Sequence, residues 1–150
     1  ASSLRVAIVV SVYHREITKA LEGAAVEAIR HSGGSDDNIV FIRVPGAFEI
    51  PFAARKAANT RNFDVVVCLG CVIRGETPHF DYIASAVAHG ITVAAQETGV
   101  PMAFGVLTTN TYLEAKERAV GGSESKGWEA AIAAIQLENA VRDLAKGHDE

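Results

Sequence analysis

Runs of consecutive apolar residues alternate along this chain with stretches in which apolar residues recur every three or four positions. LRVAIVVS (4–11) is short and dense in Val and Ile, the mark of a strand buried on both faces. Over 15–31, Ile17, Leu21, Ala24, Ala25, Ala28 and Ile29 fall on one helical stripe, and Gly33-Gly34 ends it. NIVFIRV (38–44) predicts a second strand, stopped by Pro45-Gly46. A helix follows over about 48–60, with Pro51 in its first turn, where a missing N–H costs nothing. DVVVCLGCVI (64–73) predicts the third strand, 80–97 the next helix, and PMAFGVLT (101–108) the fourth strand. A helix from near Thr111 is broken by GGSES (121–125), and a last helix runs from about Gly127 to Ala145. The tail GHDE is expected to fray.

Strands alternating with helices predict βαβ units and a parallel sheet, and strands apolar on both sides predict a helical layer on each face. The expectation is a three-layer α/β/α sandwich around a four-stranded parallel sheet, flavodoxin-like in outline. With 150 residues and no linker or internal repeat, 1–150 reads as one domain. A chain of this size buries roughly 68–70% of its unfolded surface and folds without staples. Ligands of such sheets bind at the carboxyl ends of the strands. SVYHRE (11–16), PGAFE (45–49), IRGETPHF (73–80) and LTTNT (107–111) all fall there, and each mixes glycine, hydroxyl, aromatic or charged residues. One polar turn after a buried strand is ordinary; several at one end of a sheet favour a binding site.

Composition narrows the field. Hydrophobic residues make up 49% and charged residues 21%, an ordinary globular balance. With 14 Lys and Arg against 18 Asp and Glu, a net charge of −4 and no basic stripe, nucleic acid is not the expected partner. No apolar stretch reaches the roughly 18 residues a bilayer span needs, so no membrane partner is expected either. ASSLRVAIVVSVYH reads as a strand, not a signal peptide, and the expected location is the cytoplasm. Cys68 and Cys71 are spaced C-x-x-C, but inside a strand, where positions three apart point to opposite faces. No second cysteine or histidine pair completes a zinc site. No metal site is expected, and Cys68 reads as a small buried apolar residue.

Candidate chemistry centres on a few residues. His79 follows Pro78 where a helix begins; a lone histidine is more often structural, yet it titrates at about pH 6.5 and can move protons near neutrality. His14, in a strand-end loop, is the second candidate, while His31, His89 and His148 lack such a setting. Gly75-Glu76-Thr77 can present backbone N–H groups to an anion at a helix amino end. Neither G-x-x-x-x-G-K-[ST] nor G-x-G-x-x-G occurs, against nucleoside triphosphates and NAD. Tyr13 and Phe48 can stack on a flat heterocycle, though Phe48 is as readily a core residue. Arg118 and Lys126 flank the glycine loop and, taken alone, read as solvated helix-end charges. These residues by themselves name no substrate.

VPGAFEIP (44–51), CLGCVIRGETPHFDY (68–82), TGVPMAFGVLTTNT (98–111), and ERA with SKGWEAA (117–119, 125–131) together resemble the lumazine synthase family, in order and spacing, from about Val6 to Leu144. RGETPHFDY is the most specific of these motifs. The resemblance implies condensation of 5-amino-6-(D-ribitylamino)uracil with 3,4-dihydroxy-2-butanone 4-phosphate to 6,7-dimethyl-8-ribityllumazine, the penultimate step of riboflavin biosynthesis. It implies no metal or organic cofactor. By the same resemblance His79 is the proton-transfer residue and Arg118 grips the phosphate, with the backbone of Glu76 and Thr77 completing the anion site and Lys126 lining it. Ala47, Phe48 and Glu49 match the loop that holds the ribityl-pyrimidine. Cys71, Val72 and Ile73 match the strand end whose main chain reads the ring. Tyr13 matches a stacking residue, and Phe104 an aromatic supplied by a neighbouring subunit.

The family's site lies between subunits of a pentamer, and some members assemble pentamers into an icosahedral shell of sixty subunits. Tyr13-His14 stands where the family often has Phe-Asn, which implies altered affinity for the ring and no loss of chemistry. The few residues before the first strand favour an isolated pentamer, whereas the unlengthened GGSES segment favours the shell; the pentamer is the expectation. Competing readings are a non-catalytic flavin- or lumazine-binding module on the same fold and a purely structural container. Both sit poorly with the presence of His79, Arg118 and Lys126 together.

Overall fold

The computed structural model describes residues 4–147; Ala1 to Ser3 and the tail from His148 lie outside the described residues. Strands β1 (Val6–Ser11), β2 (Ile39–Val44), β3 (Val65–Ile73) and β4 (Met102–Thr109) form a sheet of order β2-β1-β3-β4 in which every pairing is parallel. Helices α1 (Arg15–His31), α4 (Tyr112–Ala119) and α5 (Lys126–Gly147) cover one face, and α2 (Ile50–Asn59) and α3 (Phe80–Thr98) the other. The two-residue period of a strand divides the core accordingly. Val6, Ile8 and Val10 of β1 and Val65, Val67 and Leu69 of β3 pack with Leu21, Ala25 and Ala131. Ala7, Val9, Val66 and Cys68 pack with Ile50, Ala54, Val87 and Ile91. The three-layer parallel architecture expected from the pattern is the one found.

Local chemistry sets the helix ends. The Thr111 hydroxyl accepts from the Glu114 N–H at 3.1 Å while Glu114 Oε1 accepts from the Thr111 N–H at 3.3 Å, a reciprocal cap that starts α4. The helix predicted from about 48 is preceded by a tight turn over Ala47–Glu49, and α2 proper begins at Ile50 with Pro51 in its first turn. Gly127, near the start of α5, lies against α1 so closely that a β-carbon would stand 2.1 Å from the Leu21 carbonyl oxygen.

Cys68 and Cys71 lie on opposite faces of β3, buried and unpaired. Burial pushes both thiols up to about 12, and for Cys71 the negative charge of Glu76 adds to the effect. A thiol so held is a poor nucleophile at neutral pH, and the two side chains pack into different halves of the core.

One strand departs from the expectation of helices on both faces. β2 is the sheet edge, and Val40 and Phe41 are exposed. Beside it Ile42 and Val44 join Phe52, Ala53 and Phe63 around an open, apolar surface hollow, with Phe52 69% exposed. Among the described residues no helix is long and apolar enough to cross a membrane.

Candidate functional site

Unequal strand lengths create a crevice. β3 pairs with β4 as far as Ile73↔Thr109, but with β1 only as far as Val10↔Leu69. Beyond that point the chain leaving β1 leans toward β2: the Val12 N–H donates to the Val44 carbonyl (2.8 Å) and the Tyr13 N–H to the Pro45 carbonyl (3.1 Å). The β1-facing edge of β3 from Cys71 to Ile73 therefore has no strand beside it. It lies where the strand order reverses, the usual ligand crevice of an open α/β sheet.

A cavity of about 300 Å³ occupies this place. Tyr13 borders it from the end of β1, Ala47 and Phe48 from the turn after β2, Cys71, Val72 and Ile73 from β3, and Glu76 and Thr77 from the loop beyond. Side chains of consecutive strand residues alternate between faces, so what Cys71, Val72 and Ile73 share toward one cavity is their main chain. Tyr13 and Phe48 are 59% and 54% exposed, which removes Phe48 from the core and leaves both rings at the rim.

The loop after β3 is held at several points. Gly75 takes φ 91°, a conformation that a side chain would strain. The Arg74 guanidinium donates to Asn110 Oδ1 (3.1 Å) and Asp81 Oδ1 (3.3 Å) and lies 4.5 Å from the centre of the Phe80 ring. The Thr77 hydroxyl accepts from the His79 N–H at 3.1 Å, tightening the turn into α3. At the α3 amino end His79 provides no side-chain cap, so the first-turn N–H groups keep their partial positive charge.

A second cavity, of about 400 Å³, runs along β4, the other edge of the sheet. Phe104, Arg118 and Lys126 meet there, and it shares no lining residue with the first. Lys126 Nζ lies 3.1 Å from Glu129 Oε1, and an Arg118 N–H reaches the Glu114 carbonyl oxygen at 3.5 Å.

The family model for 6,7-dimethyl-8-ribityllumazine synthase matches residues 3–142. The chain is similar to 6,7-dimethyl-8-ribityllumazine synthase of Chlorobium phaeovibrioides (strain DSM 265 / 1930), 49% identical over 144 residues that cover 96% of this chain and 93% of that protein. It is 46% identical to the protein of the same name from Chlorobium luteolum (strain DSM 273 / BCRC 81028 / 2530), with the same coverage. This chain belongs to the 6,7-dimethyl-8-ribityllumazine synthase family.

Set against the residues that the lumazine synthase resemblance named, the fold sorts them by position. The chain gathers Tyr13, Ala47, Phe48, Cys71, Val72, Ile73, Glu76 and Thr77 at the β1/β3 crevice and Phe104, Arg118 and Lys126 at the β4 edge. His79 is exposed and borders a shallow depression with Phe48, Tyr82 and Ile83 next to the crevice. Glu49 stands apart from both cavities' linings; its Oε1 accepts from the Gly46 N–H at 2.8 Å and fixes the turn that presents Phe48.

Sequence reasoning missed several neighbours. Gly46 and Ile83 line the crevice and Glu129 lines the β4 cavity. Ile83 was within reach, since it lies one helical turn beyond His79. Arg74, read only as part of a motif, is the residue that ties the loop to β4 and α3.

Proposed function

We propose that this protein is a transferase that condenses 5-amino-6-(D-ribitylamino)uracil with 3,4-dihydroxy-2-butanone 4-phosphate, releasing inorganic phosphate and water and forming 6,7-dimethyl-8-ribityllumazine in riboflavin biosynthesis. The observation that carries this reading is the pair of cavities of opposite character. Exposed rings beside an unpaired strand edge suit a flat heterocycle whose rim donates and accepts hydrogen bonds. Paired cations beside an aromatic ring suit a phosphate ester.

The pyrimidine's amine attacks the ketone, and loss of water gives an imine. Elimination then expels phosphate, and the ribityl-bearing nitrogen closes the ring with loss of a second water. The reaction is redox-neutral overall, so no redox cofactor enters its balance. Tyr13 and Phe48 hold the ring by stacking, the free edge of β3 from Cys71 to Ile73 reads its rim, and Glu49 shapes the Ala47–Phe48 turn that holds the ribityl-pyrimidine. His79 transfers protons during imine formation and elimination. The Glu76–Thr77 backbone with Arg118 and Lys126 binds the phosphate, and Arg118 stabilises its charge as it leaves.

Because one protomer holds the cation cavity apart from the crevice, we read the complete site as composite, with Phe104, Arg118 and Lys126 of one copy meeting the crevice of the next in a pentameric ring. The open apolar flank of β2 and α2 supports association, and two buried unpaired thiols fit a reducing compartment such as the cytoplasm. Mixing both substrates with the folded protein and following lumazine absorbance and fluorescence tests the reaction; no product sinks it. Sedimentation tests the assembly, with a five-chain mass expected and a monomer ruling out the shared site.

A further inference from the structure

His14 joins β1 to α1 with φ 58° and ψ 54°. It and Arg61 are the non-glycine residues at positive φ among the described residues. Histidine and asparagine are among the few side-chain-bearing residues that occupy this left-handed region, so asparagine can replace histidine without changing the backbone. The His14 imidazole meets a residue that lines the crevice: Nε2 lies 2.5 Å from Glu76 Oε1. Tyr13 and Tyr112 flank the ring, with centroids 4.4 and 5.9 Å away. The histidine side chain is 13% exposed and that of Glu76 40%. Glu16, the nearest other carboxylate on α1, is engaged elsewhere, by Lys116 at 3.2 Å and by a hydrogen bond from Tyr112.

This contact answers an electrostatic problem. On the phosphate-binding reading the loop of Glu76 and Thr77 takes an anion, yet Glu76 carries a carboxylate of its own. Left to point at the same place, that carboxylate would repel a phosphate. An ionised carboxylate only accepts hydrogen bonds, so the imidazole N–H is the donor that draws it aside.

We propose that His14 is a positioning residue for the phosphate-bearing substrate. It holds the Glu76 carboxylate by a hydrogen bond, away from the loop's N–H groups. It touches no reacting atom, and its role rests on the phosphate-binding reading above.

The test is a set of His14→Asn, Glu76→Gln and the double variant, each checked for fold and assembly by circular dichroism and sedimentation. Asparagine keeps the backbone conformation but ends short of Glu76. His14→Asn is expected to raise KM for butanone phosphate about fivefold, the net worth of one hydrogen bond, with kcat and the pyrimidine KM within about twofold. Adding Glu76→Gln should restore KM, because the offending charge is gone. Equal rises in both KM values, or a double variant no better than His14→Asn, overturns the proposal. Should His14→Asn misfold, Glu76→Gln alone decides: KM for the phosphate substrate at or below wild type supports the role, and a rise overturns it. Calorimetric titration with inorganic phosphate reads the same contrast without turnover. Its loss there counts against His14, whereas absence of product from the wild-type protein counts against the reaction itself.

Discussion

The crevice between β1 and β3 and the cavity along β4 fix their functional atoms in different ways. At the crevice the atoms are main-chain groups of a fully buried strand and of a loop tied down by Arg74, so sheet register sets their places. Along β4 the working groups are the ends of two long, exposed side chains, Arg118 in the last turn of α4 and Lys126 at the start of α5. Lys126 meets Glu129 nearby, and Arg118 has one long contact to its own helix. The difference teaches that, on the proposed reading, heterocycle recognition would be built into the backbone, while phosphate handling would depend on side chains whose ends the fold leaves exposed. Point substitutions should hit the second function harder.

The most severe expected break is Arg118→Ala. It should lower kcat/KM for butanone phosphate by about 10³-fold, the upper end for removing one donor to developing charge, with the pyrimidine KM within about threefold. Equal losses for both substrates would erase the division of labour. His79→Ala should slow kcat by about 10²-fold, at the lower end for general acid–base catalysis, and leave the sedimentation profile unchanged. An unaltered rate would remove His79 from the mechanism. Gly127→Ala asks whether the cation cavity depends on how α5 seats against α1. The added methyl meets the Leu21 carbonyl and should cost about 2 kcal/mol, lowering Tm by roughly 4–8 °C in thermal unfolding. Phe48→Ala sharpens the comparison from the other side. Loss of stacking should raise the pyrimidine KM by up to about tenfold, with butanone phosphate unaffected.

Much of the fold was legible because hydrophobic period and glycine placement act locally. VVVCLGCVI demands burial on both faces and receives it, and Gly33-Gly34 ends α1 where the pattern says. The exposure of β2 was not legible, since IVFIRV has the same apolar character as an inner strand and differs only in what stands beside it. Tyr13, Phe48 and Arg118 could be named from type and motif. Their division between two cavities could not, because it follows from β3 outrunning β1 and from β4 being an edge. The His14–Glu76 contact joins positions 62 residues apart through a left-handed backbone turn, and no local pattern announces it.

The apolar flank around Phe52 and Phe63 has a thermodynamic corollary. Water in contact with that flank is a standing cost which a second chain seated there would relieve, and association and heat resistance would then be linked by mass action. Concentrating the sample should then move the melting transition upward, and the working quantity for this protein becomes a temperature quoted together with a dilution.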